Sequence, residues 1–348
     1  MRVKRTKSFI VLALILVGLA FAGLLIGSSG MSAAECVNAL FGRGTDAALR
    51  IVRGVRLPRV LAAIIAGAGL SVSGLIMQTV LGNSMASPST LGVSNAAVFG
   101  ANLSIIVFAG GYLSVGKNIS AYSFGANPYA TGMAAFVFAM LSVLIILGLC
   151  RLRSFSPEVV VLAGIAAGSV WTAATTVLQF YATDVGLSAA VIWSFGDLGR
   201  ATYEADLIML AVLAAAMAFF CLMRWKYNAL LSGEGVAISL GVNVGRLRFV
   251  SLMAASLLTS VCVSFLGIIA FVGIICPHIA KRLFGQDHGV SVPASALIGS
   301  ILLLAANALS RGIGSGSALP VGAITSLLGA PFFIALILGG RRDANAGD

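Results

Sequence analysis

Charged residues are scarce in this chain, and long polar stretches are scarcer still. Of its 348 residues only 9% are Asp, Glu, Lys or Arg, while 59% are hydrophobic, and the mean hydropathy is +1.05. Such a composition lies far outside the range of soluble globular proteins. It excludes a soluble protein and predicts an all-α, polytopic membrane protein.

The chain also lacks the side chains that ion-coupled carriers and most enzymes need at membrane depth. Its eleven acidic residues fall at the ends of apolar runs or in loops, and no Lys or Arg lies in the middle of a run. Carriers driven by protons or sodium ions usually need a buried ionisable group. A Walker A sequence is missing as well, so the chain does not hydrolyse nucleotide alone. If this protein pumps, another subunit must supply the energy.

The sequence does not indicate a metal site, a redox site or a nucleic-acid-binding site either. The five cysteines show neither disulfide nor zinc spacing, and the two histidines, His278 and His288, are too few for a metal or catalytic cluster. The net charge of +11 comes from short pairs of cations between apolar runs, as in the flanks of membrane spans. The sequence therefore predicts no nucleic-acid partner, no metal site and no cofactor in this chain.

Apolar runs long enough to span a bilayer recur along the whole chain, since a spanning helix needs about 20 residues. They cover residues 9–27, 60–81, 93–110, 131–150, 159–181, 206–223, 249–266, 293–309 and 322–339. The first resembles a signal sequence, but it is longer than a typical h-region, and we predict that it is retained as a helix.

The region 246–282 holds either one span and a buried helix or two spans. Two crossings place Lys281, Arg282 and the terminal Arg341 and Arg342 on the same side as the N-terminal cations, whereas one crossing places them outside. We therefore predict about ten transmembrane helices with both termini in the cytoplasm. The eighth, near 267–280, is short and shielded by protein.

Two segments outside the spans interrupt this single transmembrane domain of residues 1–348. In the outer segment, residues 28–58, arginines recur every three positions up to Arg59, and Arg53, Arg56 and Arg59 are expected on one helical face. Residues 224–248 form the longest cytoplasmic loop, in which the glycines predict two short surface helices.

Several ordered sequence blocks resemble the FecCD-type permeases, the membrane subunits of ATP-powered importers for ferric siderophores, haem and cobalamin. The resemblance runs from about residue 50 to residue 340. Its blocks are Arg56-Leu-Pro-Arg59, the helix from Gly74 to Gln78, GNSMASPSTLG at 82–92, FVGIICPH at 271–278, and ALPVG at 318–322. It implies the type II ABC importer permease architecture, which has ten spans per chain, in agreement with the charge pattern.

The resemblance also implies partners and a cargo. A second permease copy, identical or paralogous, pairs with the first; two ATPase subunits carry ATP and Mg²⁺; and an extracytoplasmic binding protein delivers the substrate. The location implied is the cell membrane of a bacterium or archaeon. An iron chelate such as a ferric siderophore is the expected cargo, with haem or cobalamin as alternatives. An ion-coupled secondary transporter is the alternative from a different class.

Family positions assign roles to residues at both faces of the membrane. Arg56, Arg59 and Arg311 match arginines that dock the binding protein, and a guanidinium fork suits carboxylates. Their alternative role is that of ordinary interfacial anchors. The ATPase contact is expected in the 226–241 loop, at Gly233, Glu234, Leu240 and Gly241. A solvated surface helix is the alternative there.

Two further groups follow from the same resemblance. The cytoplasmic gate is expected at Asn83 and Met85, with a second layer at Ser154 and Ser156, although an ordinary turn is the alternative. The pathway is expected along the small, mildly polar face of the fifth span, which equally suits helix packing. That face consists of Gly164, Gly168, Thr172, Thr175 and Gln179.

Two positions depart from the family pattern. Asn307 stands where the family commonly has Asp, and Ala318 stands where it commonly has Glu. Asn307 keeps a hydrogen-bonding side chain, so a packing role is expected to survive. The change at Ala318 removes any salt bridge at that position.

Overall fold

The computed structural model describes residues 2–27, 30–109, 127–152, 156–313 and 319–345. Helices make up most of these residues. The α-helices in these ranges are α1 Arg2–Leu25, α2 Ala33–Leu40, α3 Asp46–Leu49, α4 Leu57–Val80, α5 Val93–Asn102, α6 Pro128–Leu152, α7 Pro157–Phe180, α8 Asp184–Ser194, α9 Tyr203–Leu231, α10 Glu234–Ser239, α11 Val244–Leu266, α12 Val272–Phe284, α13 His288–Ile313 and α14 Val321–Asn345. The π-helical segments Arg50–Arg56 and Leu103–Phe108 precede α4 and follow α5, and short 3₁₀ helices lie at Pro88–Leu91 and Leu198–Arg200. The words inner and outer are used below for the two ends of the bundle in the predicted orientation.

Seven helical segments of the described chain are long and apolar enough to cross a membrane. They are Thr6–Leu25, Asp46–Val80, Pro128–Arg151, Pro157–Phe180, Tyr203–Leu231, Val244–Leu266 and His288–Ile313. The predicted spans 93–110 and 322–339 correspond to shorter apolar helices, Val93–Phe108 and Val321–Phe332. The all-helical class is thus confirmed, while the count of ten spans and the side of each terminus stay predictions.

Helix α4 lies at the centre of the bundle and is buried along nearly its whole length. It packs against α9, α11, α12 and α13, and small residues make the close approach possible. A Cβ at Gly67 would overlap the carbonyl group of Gly299, and one at Gly74 would overlap that of Gly273. The glycine pattern of this segment therefore serves backbone-to-backbone packing.

The predicted break near residue 267 is present. Gly267 ends α11 at φ 78°, and α12 starts only at Val272, after Phe271 at φ 66°. The residues between them are not helical, and Ile268 forms a bridge with Phe195. The expected short helix is thus largely buried, as predicted, but it covers 272–284 because its first five predicted residues are not helical.

The arginines before α4 do not share one face, so that expectation was wrong. The segment Arg50–Arg56 is π-helical, with more residues per turn than an α-helix. Pro58 has no N–H to give to the Arg53 carbonyl, and the Tyr203 hydroxyl donates to that carbonyl instead. As a result Arg53 is exposed whereas Arg56 is buried.

The inner loop also differs from its prediction. Helix α9 continues through the expected first short helix to Leu231, and α11 already begins at Val244. Only α10, six residues long, stands apart as a surface helix. Helix α8 was not predicted at all, since its apolar run is too short to suggest a span.

Candidate functional site

An open cleft of about 560 Å³ lies between α7 and the chain that follows α4. Six of its ten lining residues carry a hydroxyl or amide group, and no charged side chain is among the described residues that form it. The polar lining residues are Ser89, Thr90, Asn95, Ser169, Thr172 and Thr176. Asn95 Nδ2 donates to the Gly168 carbonyl (3.2 Å) and to Thr172 Oγ1 (3.3 Å), which joins the two walls. The cleft offers hydrogen bonds and small apolar surfaces to a cargo, without a fixed charge.

Glycines of α7 let the polar loop approach this closely. A Cβ at Gly164 would overlap the carbonyl group of Thr90, and one at Gly92 would lie 3.2 Å from the Gly168 backbone nitrogen. Gly92 itself has φ 64°, a conformation that favours glycine. The loop is therefore seated on α7 by the shape of both backbones.

The residues predicted to line the pathway divide into two groups. Gly164, Gly168 and Thr172 lie at the cleft. Thr175 is buried and donates to the Trp171 carbonyl (2.8 Å), and Gln179 donates to Asn102 Oδ1 (3.0 Å), so both face their own chain. The lining role stays a prediction. Ser169 and Thr176 were missed, although their spacing around Thr172 marks one face of α7.

The segment 81–87, called the gate loop below, begins directly after α4. Gly82 has φ 56°, and Asn83 Oδ1 accepts a hydrogen bond from the Met85 backbone N–H (2.8 Å). This is an Asx turn, which fixes the position of Met85. Ser156 is the N-cap of α7 and accepts from Val159 N (3.4 Å), whereas Ser154 lies outside the described residues. The gate roles stay predictions.

Helix α10 is the exposed element of the inner end. Glycines with positive φ stand on both sides of it, Gly233 at 113° and Gly241 at 79°. Ala237 is buried, but Ile238 and the following Leu240 point outward and are 58% and 68% exposed. Since a helix this short is not stable alone, outside contacts are expected to hold it. The predicted coupling residues thus bound a surface with unburied apolar groups.

Two of the three predicted docking arginines meet at the C-terminal end of α1. Arg56 Nη1 donates to the Leu24 carbonyl (2.6 Å) and the Leu25 carbonyl (3.1 Å), and Arg311 Nη1 donates to the Gly23 carbonyl (2.8 Å). Cationic donors stabilise the unpaired carbonyls of a helix end. Arg56 is only 3% exposed, so it does not offer its guanidinium to an outside carboxylate in this conformation.

The third docking arginine, Arg59, lies near a different partner. Its Nη2 is 3.8 Å from Asp197 Oδ1, which remains partly exposed. Nearby, Arg200 donates to the Trp193 and Ile192 carbonyls, and burial lowers its pKa, while Asp197 opposes this shift. In the outer segment Arg43, Arg50 and Arg53 are exposed. The docking role of these arginines stays a prediction.

The positions that depart from the family pattern have different settings. Asn307 is buried, and its Nδ2 has no hydrogen-bond partner among the described residues. Ala318 lies outside the described residues. Within the described ranges no three His, Cys, Asp or Glu side chains are close enough to hold a metal ion.

Comparison with known families decides the class of this helical bundle. A profile of the FecCD transport family matches residues 13–339. The chain belongs to the FecCD transport family. The predicted resemblance is therefore confirmed, and the protein is a multi-pass membrane permease of the ABC importer class.

Relatives in several organisms cover nearly the whole chain. A protein of Methanocaldococcus jannaschii, named as an ABC transporter permease, is 46% identical over 316 residues, 90% of this chain and 89% of its own. The Fe(3+)-citrate import system permease protein YfmE of Bacillus subtilis is 33% identical over 331 residues, 95% of this chain and 94% of its own. A structure described as an inward-facing conformation of a metal-chelate type ABC transporter has a TM-score of 0.80 at 26% identity, and covers 96% of this chain and 99% of its own.

Proposed function

We propose that this FecCD permease translocates an iron chelate, of the ferric siderophore kind, through a pathway completed by a second permease copy. The polar cleft on α7 carries this proposal. It lies beside Gly168 and Thr172, near the middle of a membrane-spanning helix, and it is open on one side. A second copy facing that side encloses a channel with hydrogen-bonding walls.

The described residues that line the cleft carry no charge, which fits a large chelate that must pass without being held. Hydroxyl and amide groups bind weakly and reversibly, whereas a buried charge would retain an opposite charge of the cargo. Similarity to a Fe(3+)-citrate permease supports the same cargo class. Haem and cobalamin remain the alternative cargoes within this mechanism.

Energy enters at the inner end in this proposal. Two ATPase subunits, which carry ATP and Mg²⁺, bind α10 through Ile238, Leu240 and the flanking glycines. A binding protein delivers the cargo at the outer arginines. The permease itself is not an enzyme, and its place is the cell membrane of a bacterium or archaeon, with both termini in the cytoplasm and ten spans.

Reconstitution into proteoliposomes tests this proposal. The permease is combined with the ATPase and the binding protein encoded nearest to it, and uptake of radiolabelled ferric hydroxamate, haem and cobalamin is measured separately. We expect uptake of the ferric chelate only when ATP and both partners are present. Uptake without the ATPase would contradict the proposal. Transport of haem or cobalamin without transport of the ferric chelate would show that the proposed cargo is wrong.

A pair of identical substitutions tests the cleft itself. Thr172→Val removes a lining hydroxyl, and we expect a higher KM for uptake with unchanged basal ATP hydrolysis. Thr175→Val removes a hydroxyl that is buried one turn away and should leave KM unchanged. Equal effects of both variants on KM would contradict the assignment of the cleft.

A further inference from the structure

A buried arginine, Arg248, joins the exposed helix α10 to the end of the central helix α4. Its Nη1 lies 3.2 Å from Glu234 Oε1 and its Nη2 lies 2.8 Å from Glu234 Oε2, so the ion pair is two-pronged. Its Nε donates to the Val80 carbonyl at 2.9 Å. One side chain therefore holds the first residue of α10 and the last residue of α4.

The last turn of α4 is tied to three neighbouring helices. Gln78 Oε1 accepts from Lys281 Nζ of α12 (3.0 Å), and Thr79 Oγ1 lies 2.8 Å from His288 Nε2 of α13. Val80 is held by Arg248 of α11. Among these described ties, that of Arg248 is the one that also reaches an exposed surface element.

Val80 is the last residue of α4 and lies directly before the gate loop. The gate loop starts at the next residue, and its backbone continues the hydrogen bonding of α4, with Leu81 N donating to the Met77 carbonyl and Asn83 N to the Gln78 carbonyl. A displacement of the Val80 carbonyl therefore changes the support of Asn83 and Met85. The Arg248 side chain therefore connects Glu234 of α10 to Val80, the residue directly before the gate loop.

The energetics favour joint movement over separation. Arg248 is almost completely buried, and a buried cation that loses its carboxylate is strongly destabilised. The planar guanidinium also fixes the angle between its two bonds to Glu234 and its bond to Val80. Glu234, by contrast, is half exposed and lies at the N-terminus of α10, where a partner subunit can displace it.

We propose that Arg248 is a positioning residue that transmits displacement of α10 to the gate loop. The proposal rests on the proposed function, because it takes the ATPase to act on α10. It differs from a merely stabilising ion pair in one respect: loss of Arg248 should separate ATP hydrolysis from movement of the loop, with the fold intact.

The experiment measures that separation directly in the assembled transporter. A spin label is placed at Ser84, an exposed residue of the gate loop, in a Cys221→Ser background, since Cys221 is the exposed cysteine of the described chain and the other four are buried. The distance between the labels of the two permease copies is then compared without nucleotide and with ATP bound. We expect a nucleotide-dependent change in the otherwise unaltered protein, and no change in Arg248→Gln.

Transport gives the second readout. Uptake per ATP hydrolysed should fall about tenfold in Arg248→Gln, within the usual range of coupling between sites. Arg248→Lys keeps the charge but not the planar fork, so it should restore the Tm and only part of the coupling. Arg282→Gln removes an exposed cation at the same end of the bundle and is the matched control, with both readouts unchanged.

The proposal can still be tested if Arg248→Gln does not fold. If Arg248→Gln fails to assemble, Arg248→Lys keeps the buried charge but lacks the planar fork, and it should show part of the same loss of loop movement. A loop that still moves, with a normal ratio of uptake to ATP, would overturn the proposal. Absence of ATPase binding or of uptake in the unaltered protein would instead overturn the proposed function.

Discussion

Arg56 and Arg311 show how burial changes the role of a charged residue. Both were expected to face a binding protein, yet both donate to carbonyl groups at the end of α1. A guanidinium whose N–H groups are used inside the chain contributes stability, and hydrogen bonds from charged groups are worth about 1.5–3 kcal/mol each. Arg59 differs, since it faces a partly exposed carboxylate at long range.

This difference gives a prediction for the outer face. Arg59→Gln should weaken docking of the binding protein about tenfold, as expected for loss of one interfacial charge pair. Neutralisation is preferred to reversal because a carboxylate at this position would repel Asp197. Affinity is measured by surface plasmon resonance on the permease–ATPase complex.

Arg56→Gln is the comparison for that measurement. It should lower the Tm, because it releases the Leu24 and Leu25 carbonyls, and it should still co-purify with the ATPase. An unchanged affinity in Arg59→Gln would refute the docking role of this arginine.

At the scale of elements, α10 stands out because five of its six residues are exposed. Its glycine flanks permit a sharp entry and exit, and its Val236 and Ile238 side chains are about half exposed. The neighbouring glycine inside the helix, Gly235, has no heavy atom within 4 Å of the place where a Cβ would lie. A side chain there therefore starts in open space as far as the described residues are concerned.

Gly235→Trp therefore probes a partner and not the fold. We expect loss of ATPase co-purification with an unchanged Tm of the isolated permease, because the indole would occupy the space of the ATPase surface. Gly148→Trp on α6 is the control, since its position is equally open in the described chain. Normal co-purification of Gly235→Trp would count against the coupling role of α10.

At the scale of the whole molecule, the distribution of buried charge bears on the energy source. Asp206 lies in the first turn of α9, is only 4% exposed, and neither carboxylate oxygen has a hydrogen-bond partner among the described residues. It is the residue that an ion-coupled carrier would use. Its location at the end of a helix, away from the cleft on α7, fits a structural role instead.

Asp206→Asn separates these two mechanisms. In the ATP-powered mechanism the variant retains uptake, and a protonophore added with ATP present has no effect on either protein. The Tm should not fall, since the substitution removes a potential buried charge without cutting a hydrogen bond between described residues. Uptake that collapses in the variant or with the protonophore would favour ion coupling.

Particular elements show how far sequence patterns reach. The long spans, the break at Gly267 and the exposed inner helix follow from hydropathy, charge placement and glycines, all of which act locally. The π-helical turn before α4 was missed because it depends on Pro58 and on the distant Tyr203 together. Helix α8 was missed because its apolar run is short. Thr175 was predicted to line the pathway because the sequence shows which residues share a helical face but not which neighbouring helix covers that face.

The sequence by itself determined that this protein crosses the membrane many times and belongs to a permease family, because composition and motif order are properties of the chain alone. Only the tertiary structure decided which polar residues face a cleft and which face their own chain. The contacts of Arg56 with α1, of Thr172 with Asn95 and of Arg248 with Glu234 and Val80 join segments far apart in sequence. Such contacts depend on how the helices pack, and packing rather than residue type sets the role of each charge.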